Sequence, residues 1–165
     1  MDYFLSKQAV ELPILLMLPL MENAIMFWAI GFRQGTFWHF ALVYVLTVQC
    51  GTSIGYFISA SFENMMNAVQ IIPFAIMPSV LFAGLICNIG TMFTWIKWMS
   101  WTSPTRFAFE ALMWAQYPNG EYGIAAQLDL ELGYWYSVCW LAGWALLYKI
   151  CTFLALWIMS RSGFN

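Results

Sequence analysis

The 165-residue chain is 62% apolar and carries charge on only 8% of its positions, about a third of the charged share of an ordinary soluble domain. This excludes a water-soluble fold. Six Lys plus Arg against eight Asp plus Glu leave a net charge of −2. There is no basic footprint for a phosphate backbone, and no nucleic-acid partner is expected.

Gln34 to Phe62 and Asn64 to Ile96 carry no formal charge, and each stretch exceeds the roughly 20 residues that cross a bilayer as a helix. The start, Met1-Asp2-Tyr3, has no basic n-region or small-residue cleavage site, so no removable signal peptide is expected and a spanning helix serves as its own insertion signal. Leu12 to Phe32, interrupted only by Glu22, predicts a first span at about 12–32, kinked by Pro19. A turn from Gly31 to Gly35 leads into a second span at 36–62. Here Gly51, Gly55 and Ser59 recur at four-residue spacing, which lets two helix backbones approach closely, within the chain or between subunits.

A third span is predicted at 65–89. Its Pro73 and Pro78 each free a backbone carbonyl, so this helix is expected to face protein or a cavity and not lipid. Trp95, Trp98 and Trp101 form an aromatic belt of the kind found at the headgroups. Ser103 offers an N-cap and Pro104 the first helical position, opening a helix to Tyr117 that is too short to span. Residues 91–117 are therefore expected to form a re-entrant or interfacial segment. A polar loop at 118–132 and a last span at 133–160 complete an all-α membrane protein of four transmembrane helices plus a re-entrant helix before the last span. The even count places both ends on one side. Lys7 and Arg161 on that side, against Arg33, Lys97 and Arg106 on the other, slightly disfavour cytoplasmic ends.

Little catalytic chemistry is legible. His39 is the only histidine, there is no HExxH, and Cys50, Cys87, Cys139 and Cys151 show no CxxC spacing. No catalytic or metal site is expected. A channel would need a ring of polar residues along a span, and none shows one. Two intramembrane ionisable residues stand out. Glu22 reads either as a proton or cation-substrate contact or as a neutral or paired carboxyl bonded to Asn23 or Lys149, because an unpaired charge at that depth costs several kcal/mol. Lys149 reads as a cation whose stem reaches a polar region. Arg106 and Glu110, four residues apart, can pair on one face of the re-entrant helix as a structural clamp.

Three segments resemble the G subfamily of ABC transporters, the exporters of the White and breast-cancer-resistance type. YFLSKQAVELP (3–13) is similar to that family's entry to its third span. LFAGLICNI (81–89) resembles the outer end of its fifth, and WIKWMSWTSPTRFAFEAL (95–112) resembles its re-entrant signature. The resemblance implies spans three to six of a six-span domain with both termini cytoplasmic, in the plasma membrane or an internal membrane, overriding the charge tally. It implies Pro73, Met77 and Val80 as walls of a substrate path, and Leu85 and Ile86 as an apolar outer gate. Two such domains would pair, as a homodimer or a heterodimer, to move lipid, sterol or amphipathic xenobiotic molecules. The position matching Glu22 is normally apolar in the family. The loop at 118–132 also lacks the cysteines often found there and has no N-x-[ST] site.

The phosphate loop G-x-x-x-x-G-K-[ST] does not occur in the chain. No cofactor is expected on it; ATP and Mg belong on an associated nucleotide-binding domain, and the remaining transmembrane helices and the coupling helix would precede Met1. The chain is then either a portion completed by partners or a truncated gene product, with a non-transporting structural or regulatory subunit as the alternative.

Overall fold

A backbone in hydrocarbon must satisfy its own hydrogen bonds, and the sequence answers this with helices throughout. A computed structural model describes residues 2–32, 35–62, 65–84, 93–117 and 132–162, and every regular element among them is an α-helix. These are α1 (Asp2–Ile30), α2 (Phe37–Ser61), α3 (Met65–Leu81), α4 (Thr94–Thr102), α5 (Pro104–Gln116) and α6 (Tyr134–Ser162).

By length and apolar composition, α1, α2 and α6 can cross a membrane, with segments Val10–Ile30, Phe37–Ser61 and Tyr134–Trp157. Helix α1 runs unbroken through Pro13 and Pro19 and begins well before the expected residue 12. It ends at a turn in which Gly31 and Gly35 take φ of 71° and 104°, angles that only glycine adopts freely.

The third span departs most from expectation. Its helix ends at Leu81 after 17 residues, about 25 Å of rise, instead of continuing to 89. Gly84 takes φ 90°, the left-handed conformation that closes many helices. Residues 85–92 and all but Leu132 of the predicted loop at 118–132 lie outside the described residues.

The predicted re-entrant segment resolves into two helices. Ser103, with φ −85° and ψ 111°, separates α4 from α5, because Pro104 disfavours helical geometry in the residue before it. The core lies where α5 docks between α2 and α6: Val43, Phe107, Ala108, Ala111, Val138 and Leu141 are buried together. Alanines at 108, 111 and 115 keep that face of α5 thin, which lets the short helix approach both long ones. Helices α2 and α6 share the most extensive contact, and α1 packs on α2.

Candidate functional site

Pro73, Met77 and Val80 are spaced i, i+4 and i+7, which brings them within about 60° of arc on α3. All three are exposed, Met77 at 65%. The structure thus gathers these predicted path residues on one apolar face that no described part of the chain covers. Leu85 and Ile86, the predicted outer gate, lie outside the described residues.

The C-terminal end of α3 carries a polar cluster that sequence reading missed. Phe82 N–H bonds to the Pro78 carbonyl and Ala83 N–H to the Val80 carbonyl, so the Ser79 carbonyl has no helical donor. Ser103 Oγ donates to it at 2.6 Å, and Thr105 Oγ1 donates to it as well. Ser103, expected as an N-cap, makes no side-chain cap bond on its own helix; its hydroxyl secures the end of α3 instead.

Arg106 and Glu110 are each only 1% exposed, and each bonds to a residue outside α5. Arg106 Nη1 donates to Ser100 Oγ at 2.7 Å while its guanidinium lies 4.8 Å from the Trp101 ring centroid. This ties α5 to α4. Glu110 Oε1 accepts the Leu132 backbone N–H at 2.6 Å, tying α5 to the entry of α6. Trp101, read from sequence as part of an interfacial belt, also meets Trp140 and Phe107 at 6.1 and 6.2 Å between centroids. Phe107 in turn stacks on Trp140 at 5.8 Å and 13°.

The intramembrane ionisable residues have different settings. Glu22 is exposed, whereas its neighbour Asn23 is buried and donates to the Phe37 carbonyl at 3.5 Å. Lys149 donates to Gln49 Oε1 at 3.0 Å, so the group its stem reaches is an amide of α2. A second cross-helix bond joins Tyr56 Oη, as donor, to Glu11 Oε2. His39 is exposed, with Tyr134 against its ring at 4.9 Å. Among the described residues there is no cluster of His, Cys, Asp and Glu arranged to hold a metal.

A family model described as "ABC-2 type transporter", the membrane domain of such proteins, matches residues 1–117. This chain belongs to the ABC-2 type transporter family, in its G subfamily. The ABC-2 domain is 36% identical over 124 residues to "Protein white" of Drosophila melanogaster, covering 72% of this chain and 18% of the fly protein. It is 32% identical over 113 residues to "ABC transporter ATP-binding protein/permease wht-1" of Caenorhabditis elegans, covering 67% of this chain and 17% of that protein. A match of 23% identity to "ABC transporter G family member 1" of Dictyostelium discoideum takes in 100% of this chain and 24% of the relative. The chain therefore spans less than a quarter of the length of each of these relatives.

Within this ABC-2 domain, the sequence signals for the missed polar contacts were weak but present. Gln49 is the thirteenth of the 25 residues of α2, and Lys149 the sixteenth of the 29 of α6. Two strongly polar side chains at matching depths are a cue to pairing, since each alone is costly in hydrocarbon.

Proposed function

We propose that this ABC-2 domain supplies the substrate path and outer gate of an ATP-driven exporter of lipid, sterol or amphipathic xenobiotic molecules. The observation that carries the reading is the uncovered apolar face of α3 formed by Pro73, Met77 and Val80. Such a face binds apolar molecules by removing surface from water at about 25 cal/mol per Å². With few hydrogen-bonding groups on it, selectivity would be broad. Leu85 and Ile86 would close the path on the outer side. A nucleotide-binding domain would bring ATP and Mg, the remaining transmembrane helices would complete the wall, and a second ABC-2 domain, identical or related, would stand opposite. Both termini would then be cytoplasmic. In this scheme Arg106 and Glu110 act as the clamp that holds the re-entrant helix against the spans.

The test is purification of the tagged chain from its own membrane, followed by uptake of a fluorescent amphiphile into inside-out vesicles. An ATPase subunit or domain should accompany the chain, and uptake should require ATP and stop with vanadate. Absence of any ATPase, or uptake indifferent to ATP, would overturn the reading and favour a non-transporting structural subunit.

A further inference from the structure

Behind the proposed path, on the other face of α3, lies a cavity of about 350 Å³. Its wall includes Phe57 and Ile58 of α2, Pro78 and Phe82 at the end of α3, and Trp98 and Met99 of α4. Ala75, Pro78 and Ser79 of its lining sit roughly half a turn around α3 from Pro73, Met77 and Val80. The two surfaces are thus back to back on one helix.

Thr102 and Tyr148 also line the cavity, and one corner of it is a hydroxyl cluster. Ser103, which is 4% exposed, lines it together with Ser79. The Ser103 and Thr105 hydroxyls both donate to the Ser79 carbonyl. The Ser79 hydroxyl has acceptors in Ser103 Oγ at 3.3 Å and Thr105 Oγ1 at 3.1 Å. All three hydroxyl protons are therefore taken up inside the cluster, and what remains at this corner is lone pairs. A molecule bonding here must bring a donor. None of the described lining residues is charged, so a charged head would be buried there without a counter-ion among them, at high cost. The volume lies near the lower end of the range for ligand sites, about 300–1,000 Å³, which suits one chain or one fused-ring skeleton.

From this geometry we infer that the cavity binds a neutral membrane alcohol, a long-chain or fused-ring apolar molecule whose single hydroxyl donates to the Ser79–Ser103–Thr105 cluster. The site is separate from the proposed path and stands whether or not the chain transports. Because α3 forms a wall of both surfaces, a bound alcohol would brace the helix from behind.

The experiment uses the full chain, purified with whatever subunits accompany it, in phosphatidylcholine nanodiscs and photolysed with a diazirine analogue of hexadecanol. Peptides containing Phe57, Phe82 or Trp98 should be labelled saturably, and hexadecanol should compete. Hexadecyl methyl ether, which lacks the donor, should compete about fivefold less well, the weight of one net hydrogen bond. Palmitate should not compete. Ser79→Ala keeps the backbone carbonyl and so the end of α3, and should weaken labelling by a similar factor. Ala75→Trp, which fills the cavity, should abolish it while leaving non-saturable labelling at exposed positions unchanged. Ether and alcohol competing equally, palmitate competing as well as the alcohol, or labelling that survives Ala75→Trp would each overturn the inference.

Discussion

Lys149 donates to Gln49 across 3.0 Å, and the pair joins α6 to α2 close to the middle of each helix. The seam is extended by Thr152 Oγ1, which donates to the Ser53 carbonyl at 3.3 Å. Interhelical hydrogen bonds in membranes average about 0.6 kcal/mol, so the bond itself contributes modestly. Removing one partner matters more, because it strands the other in an apolar setting. Gln49→Leu should therefore lower thermal stability more than Lys149→Met does, and the double variant should recover most of the loss. Size-exclusion thermostability of the purified chain measures this; equal losses that add in the double variant would show that the pair is not coupled.

The end of α3 gives a second prediction. Ser103 and Thr105 both donate to the Ser79 carbonyl, so either alone can keep it satisfied. Ser103→Ala or Thr105→Val should each cost little, whereas the double variant leaves the carbonyl orphaned and should cost about 1–3 kcal/mol. The same thermostability assay reads the non-additivity.

Arg106 combines a cation–π contact over the Trp101 ring with a bond to Ser100. Lysine preserves the charge but not the guanidinium plane. Arg106→Lys should thus loosen α4 from α5, increasing proteolytic cleavage between Thr102 and Pro104 severalfold, while Ser100→Ala should produce a smaller increase. If Arg106→Lys left the cleavage rate unchanged, the guanidinium's contact with Trp101 would carry no weight.

Glu22 is exposed on α1, within an apolar run where charge facing lipid is costly. In the reading where it meets a cationic substrate, Glu22→Gln reduces transport of cationic amphiphiles severalfold and spares neutral ones. Equal transport of both classes by the variant would contradict that contact.

These relationships differ in how far they could be read from the chain alone. The all-helical membrane fold follows from apolar runs of spanning length, and Val10–Ile30, Phe37–Ser61 and Tyr134–Trp157 are helical segments long and apolar enough to cross a membrane. The shortened third helix does not follow from them, since a run of apolar residues to Ile89 carries no sign that Gly84 takes a positive φ and closes the turn. Pro104 was legible as a helix start. Its effect on Ser103, which splits the segment into α4 and α5, depends on the same local sterics and was within reach. The role of Ser103 toward Ser79, 24 residues earlier, was not, because it depends on how α3 and α5 pack. Small residues at Gly51 and Gly55 suggested close helix contact within the chain or between subunits. Among the described residues, a Cβ at either meets nothing within 4 Å, so packing within the described chain does not use them.

The substrate-path assignment is tested most directly by narrowing it. Met77→Trp, measured in ATP-driven vesicle uptake of small and bulky fluorescent amphiphiles alongside ATP hydrolysis by the same preparation, separates a blocked path from a damaged fold. The account predicts that bulky substrates are lost, small ones persist and hydrolysis continues. Uptake of both sizes at the unsubstituted rate would contradict it.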